Sequence, residues 1–136
     1  MDLVAQLRRD EGVRLKPYHC TAGKLTIGVG RNLDDRGITQ TEADYLLAND
    51  IAEVTAQLLE QLPWAARLDE ARRGALLNMA FNLGIAGLLG FKNTLKLIEA
   101  GKYEAAEMNM LRSKWATQVG PRATRLALQI RTGHWQ

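Results

Sequence analysis

The stretch EGVRLKPYHCTAGKLTIGVG, from Glu11 to Gly30, decides the fold. It opens on an acid at a helix end, holds the one cysteine of the chain, and closes on a strand-like run with a Gly-x-Gly turn. Just upstream, residues 2–11 place Leu3, Val4 and Leu7 on one helical face. Gly12 after Glu11 is a helix C-terminal signal. A carboxylate at the negative end of a helix dipole is disfavoured in its charged form. Partial burial would add to that effect, and such an acid suits proton donation near neutral pH. The plain alternative is a solvated Glu11 at a frayed helix end. Arg14 to Tyr18 and Lys24 to Val29 both suit short strands, with Thr21-Ala22-Gly23 as the turn between them. A small antiparallel hairpin of this kind brings Cys20 and Thr26 onto neighbouring strands near the helix end.

Outward from this stretch the pattern is helical. Arg31 to Gly37, RNLDDRG, reads as a turn-rich connection. Asp34-Asp35-x-Gly37 resembles part of a calcium loop, but the remaining ligand positions and closing Glu are missing, so it is a plain turn. Gly28-x-Gly30 lacks the third glycine of a dinucleotide fingerprint, because residue 33 is Leu. Thr39-Gln-Thr-Glu42 is a capping box opening a helix to about Leu59, with Leu46, Leu47, Ile51, Val54 and Leu58 on its apolar face. Pro63 stops it. Asp69 caps a second helix that carries Leu76, Leu77, Ala80 and Phe81 and ends at Gly84. Shorter helices are expected at about 85–90, 92–100 and 103–114, and Pro121 opens a last one to about Arg131.

Composition bounds the rest. The chain has 136 residues, 46% of them apolar, and a net charge of +3, enough for one domain with a core. Mild positive charge fits an anionic partner without choosing among wall polymer, nucleic acid and lipid. One cysteine leaves no intrachain disulfide. Residues 1–10 are too short and charged for a signal peptide. No run reaches the roughly 18 apolar residues of a membrane span. His19, Cys20 and His134 do not make a zinc set, and no metal or other cofactor is expected. Trp64, Trp115 and Trp135 read as packing residues, Trp115 most firmly. Arg8-Arg9, Arg72-Arg73 and Arg122/Arg125 read as solvated helix faces.

The chain also resembles the phage-type lysozymes (endolysins) of glycoside hydrolase family 24. That pattern is Glu, eight residues, Asp or Cys, five residues, Thr, and Glu11, Cys20 and Thr26 stand at this spacing. Thr26-Ile27-Gly28-Val29-Gly30, Asn78-Met79-Ala80-Phe81-Asn82-Leu83-Gly84, Gly90-Phe91-x-Asn93-Thr94-Leu95 and Arg131-Thr132-Gly133-His134-Trp135 look like family segments in family order. The resemblance covers nearly the whole chain. It implies an α+β, mostly helical fold: a small N-terminal β-hairpin lobe at about 12–38, a linking helix at about 39–60, and a helical lobe at about 61–136 that also takes helix 2–11.

The resemblance implies hydrolysis of the β-1,4 bond between N-acetylmuramic acid and N-acetylglucosamine in peptidoglycan. Glu11 would be the general acid and Thr26 would position the water. Cys20 would serve as a thiolate base or stabiliser, or as a covalent nucleophile. The T-even phage member has Asp at that position. To act as a carboxylate substitute the thiol needs nearby positive charge, with His19, Lys16, Lys24 and Arg31 as candidates. Arg122 would pair with Glu11. Asn32, Phe81, Thr94 and Asn109 match substrate-contacting positions, with Thr94 replacing Ser and Asn32 replacing Leu. Arg31 replaces a His. A monomeric endolysin of this kind waits in the host cytoplasm and reaches the cell wall through a separate holin-type pore-former, without stable membrane insertion. Three rivals stand beside this reading. One is a catalytically weak wall-binding or tail-associated module. Another is a basic helical DNA-binding domain, which lacks a recognition helix. The third is a transglycosylase, against which Thr26 as water-positioner argues.

Overall fold

The computed structural model describes residues 2–136; Met1, with which the expected domain begins, lies outside them. The chain divides into two compact units, Met1–Leu47 and Ala48–Gln136.

The first unit opens with α1 (Leu3–Glu11). Asp2 caps it by accepting from the Ala5 N–H at 2.8 Å. Gly12 ends it with φ 78°, its N–H returning to Arg8 O at 2.9 Å. The expected hairpin follows as β1 (Arg14–His19) and β2 (Leu25–Gly28), paired antiparallel. A third short strand, β3 (Arg31–Asn32), pairs with β2, so the sheet has the order β1-β2-β3. The segment expected to be only a turn thus begins as a strand. Its two residues are too few to show an alternating pattern. Arg14 opposes Gly28 while Tyr18 opposes Thr26, so β1 carries extra residues in a bulge. Pro17 sits within it, where a residue without an N–H costs the ladder nothing.

Helix α2 (Gln40–Gln61) starts in the first unit and ends in the second. Its capping box is reciprocal. The Thr39 N–H donates to Glu42 Oε1 at 2.9 Å, and the Glu42 N–H donates to Thr39 Oγ1 at 3.2 Å.

The second unit continues with a 3₁₀ turn at Pro63–Arg67, then α3 (Glu70–Leu89), α4 (Lys92–Glu99), α5 (Tyr103–Leu111), α6 (Lys114–Val119) and α7 (Pro121–Thr132). Asp69 caps α3 through the Arg72 N–H at 3.0 Å, as expected. Gly84, with φ 76° and ψ 160°, breaks α3 where the sequence ends the helix. The helix expected over 103–114 stops at Leu111, and α6, which was not expected, follows, because Ser113 leaves the helical conformation and caps α6 through the Ala116 N–H. Leu58, Leu76, Met79, Leu88, Ile98, Met110 and Ile130 form the buried core, with α7 packed against α3, α5 and α6.

The arginines expected on solvated faces are partly turned inward. Arg72 donates to the last carbonyls of α7, Ile130 O at 2.6 Å and Arg131 O at 2.9 Å, and lies 3.6 Å over the Tyr103 ring. Arg73 donates to Leu68 O at 2.9 Å. Helix and turn ends leave carbonyls without partners, and a guanidinium satisfies them where water is scarce. Among the described residues no single helix is long and apolar enough to cross a membrane.

Candidate active site

The β1–β2 connection is built around Cys20. The Gly23 N–H donates to Cys20 O at 2.8 Å and the Cys20 N–H donates to Lys24 O at 2.9 Å. Gly23 takes φ 80°, which this tight turn requires. The turn aims backbone donors at the half-buried thiol. Backbone hydrogen bonds from Lys24 and then Ala22 lower its pKa, burial opposes them, and the Thr26 hydroxyl lowers it further. The positive side chains expected to do this are engaged elsewhere or uninvolved. Lys24 pairs with Asp35 at 3.3 Å, and Arg31 with Glu42 at 2.7 Å. Neutral N–H dipoles, not cations, favour the ionised form of this thiol.

Thr26 is the only buried residue of the first unit among those described, at 3% exposed. Its hydroxyl donates to Lys24 O at 2.8 Å. One hydroxyl carries one proton and two lone pairs. It serves either Lys24 O or the Cys20 sulfur as donor at a given moment, and in both cases keeps an acceptor for a water. Asn32 lies opposite Thr26 in the β2–β3 pairing. Its amide is taken up locally, donating to Asp35 Oδ2 at 3.0 Å and accepting from the Asp35 N–H at 2.9 Å.

Glu11 ends α1 with an exposed side chain, so the burial expected of it is absent. Its carboxylate nevertheless has a close neighbour in Gly30, where a Cβ would stand 2.9 Å from Glu11 Oε2. Arg31, next in the chain, makes a two-pronged bond to Glu42 and donates to Gly37 O at 3.2 Å. This bonding, with the Thr39 N–H, holds the Glu42 carboxyl down at about 2.

In the second unit Thr94 and Asn109 are brought together. The buried Thr94 hydroxyl donates to Asn109 Oδ1 at 2.6 Å. Both line a cavity of about 630 Å³ with Phe91, Lys92, Ser113 and Trp115. Trp115 is buried, donates to Asn82 Oδ1 at 2.9 Å and meets Phe91 edge-on, so its expected packing role holds. Phe81 stands 47% exposed and lines a separate cavity of about 320 Å³ with Asp50 and Glu53. Arg122 is held by Asn78, its Nε and Nη2 donating to Oδ1 at 3.0 and 2.8 Å.

Comparison with known proteins agrees with this architecture. The phage lysozyme family profile matches residues 8–131. A probable T4-type lysozyme of Dictyostelium discoideum is 32% identical over 93% of this chain and 92% of its own length. An endolysin of Acyrthosiphon pisum secondary endosymbiont phage 1 is 35% identical over 81% of this chain and 74% of its own. The pre-baseplate central spike protein of phage T4 is 31% identical over 98% of this chain, which spans 28% of that longer protein. The chain therefore belongs to the phage lysozyme family. Membership carries a lysozyme-type hydrolase function in general.

Proposed function

We propose that the protein is an endolysin-type muramidase, hydrolysing the β-1,4 bond between N-acetylmuramic acid and N-acetylglucosamine of peptidoglycan. The observation that carries this reading is the Cys20–Thr26 arrangement: a thiol whose ionised form is favoured by backbone donors, beside a hydroxyl with a free acceptor. In the proposed reaction Glu11 gives its proton to the glycosidic oxygen as the C1–O bond breaks. The bound glycan supplies the desolvation that the exposed carboxyl lacks. The thiolate of Cys20 offsets the charge of the oxocarbenium-like centre. A water donating to Thr26 Oγ1 keeps a lone pair for C1, attacks from the opposite face and passes a proton to the thiolate. Phe81, Asn109 and Asn32 bind the glycan; Thr94 orients Asn109 and leaves its amide N–H₂ free for a sugar carbonyl. On the family pattern Arg122 supports the site, and Asn78 holds its guanidinium. On this reading the enzyme acts as a monomer, without metal or cofactor. It reaches the wall from the host cytoplasm once a separate pore-former opens the membrane, and cell lysis follows.

A second reading is favoured by the spike protein's similarity: the same fold serving as a virion-associated wall module. Turbidity loss of purified peptidoglycan separates the two. We expect clearing by the wild type and a loss of about 10²- to 10⁴-fold in Glu11→Gln, the range for removing a general acid. Cys20→Ala should be impaired and Cys20→Asp active. Full activity in Cys20→Ala removes the thiol from the mechanism. An inert wild type on several walls favours the module reading. Mass spectrometry should find hydrolysed reducing ends, and anhydro ends would instead mark a transglycosylase.

A further inference from the structure

We propose that Gly30 is a positioning residue for Glu11, fixing the carboxylate through the absence of a side chain at the β2–β3 turn. The inference deepens the reading of Glu11 as proton donor and rests on it. Five glycines in the first unit take positive φ: Gly12, Gly23, Gly28, Gly30 and Gly37. A Cβ on Gly12, Gly23 or Gly28 would meet nothing within 4 Å, and on Gly37 only Leu33 O at 4.0 Å. Gly30 is different. A Cβ there would stand 2.9 Å from Glu11 Oε2, 3.1 Å from Cδ and 3.4 Å from Cγ. The hydrogen in that direction therefore faces the carboxylate itself.

The consequence follows from what can move. Glu11 is exposed, so its chain can swing outward at little cost to folding. A methyl at residue 30 would push the acid off its seat without unfolding the unit. Misplacing a reacting group by about 1 Å can cost on the order of 100-fold in rate. Gly30 thus sets turnover, not substrate affinity, and it acts through Glu11 alone.

Gly28 supplies the control. Its φ of 70° matches the 69° of Gly30, so alanine suffers the same backbone strain at either position. Only at Gly30 does it meet Glu11. The experiment compares Gly30→Ala, Gly28→Ala, Glu11→Gln and the Gly30→Ala/Glu11→Gln pair. Initial rates are measured over a range of purified peptidoglycan concentrations, alongside thermal unfolding. We expect kcat to fall about 10- to 100-fold in Gly30→Ala with KM within about threefold. Gly28→Ala should keep kcat within about twofold while losing as much Tm as Gly30→Ala. Added to Glu11→Gln, Gly30→Ala should lower the residual rate no further, because the group it displaces is already silent. Equal rate losses in the two alanine variants, or a further fall in the double variant, would overturn the proposal while leaving Glu11 as the acid. Wild-type activity in Glu11→Gln would overturn the acid assignment and the Gly30 inference together.

Discussion

Leu76, Met79 and Ile130 lose all contact with solvent in the second unit, whereas Leu3 and Leu15 in the first stand 66% and 86% exposed. The second unit is stabilised by apolar burial among α3 to α7. The first buries only Thr26 among its described residues, and local polar devices hold it: the Asp2 cap, the Thr39–Glu42 capping box, the Arg31–Glu42 pair and the Asn32–Asp35 turn. Of the three residues proposed for the reaction, Glu11 and Cys20 are not packed into a core, and Thr26 alone is buried. Local opening should start in the first unit, since few buried contacts mean low local stability.

All three tryptophans, Trp64, Trp115 and Trp135, belong to the second unit, so their fluorescence follows that unit alone. This makes the comparison breakable. Leu76→Ala, with its side chain fully buried, should cost about 2–5 kcal/mol and shift the tryptophan-detected transition to lower denaturant. A shift no larger than a surface substitution gives would contradict the core described here. Arg72→Met keeps much of the side-chain length but leaves two α7 carbonyls without donors and removes the cation over Tyr103. A loss of about 1–3 kcal/mol is expected, and Arg72→Lys should recover only part of it, since one ammonium cannot reproduce the fork.

The smallest effect belongs to the first unit and depends on pH. Glu42 is held at about 2 against an ordinary 4.5, first by Arg31 and then by the Thr39 N–H. A depressed carboxyl contributes stability that is complete above its unfolded value and is lost as pH falls through the folded one. Between about 4.5 and 2 the wild type should therefore lose its advantage over Glu42→Gln. Hydrogen exchange at β3 and the start of α2, compared between the two proteins at pH 7 and pH 2, checks this. A difference that persists at pH 2 would show that the pair is not its source.

Much of the scaffold was legible because its signals are local. Gly12, Pro63, Asp69, Gly84 and Pro121 act within a turn of the chain, and each marked the boundary at which it stands. The break at Ser113 and the strand at Arg31–Asn32 escaped because a serine inside a helical run and a two-residue strand carry no period. At the site, the spacing of Glu11, Cys20 and Thr26 was visible, but the groups that lower the Cys20 pKa were not. Lys16, His19, Lys24 and Arg31 stood out as charges. The donors that act are backbone N–H groups, which every residue but proline has and no sequence flags.

The sequence by itself thus determined most of the helices, the caps at Thr39 and Asp69 and the hairpin turn, because these depend on neighbours a few positions apart. Tertiary structure decided which partner each long side chain meets. Arg72 closes a helix end 58 residues away, and Thr94 finds Asn109 across 15. A side chain at Gly30 would meet Glu11 only because the sheet returns to the end of α1. Such contacts depend on the path of the backbone, which residue spacing alone does not encode.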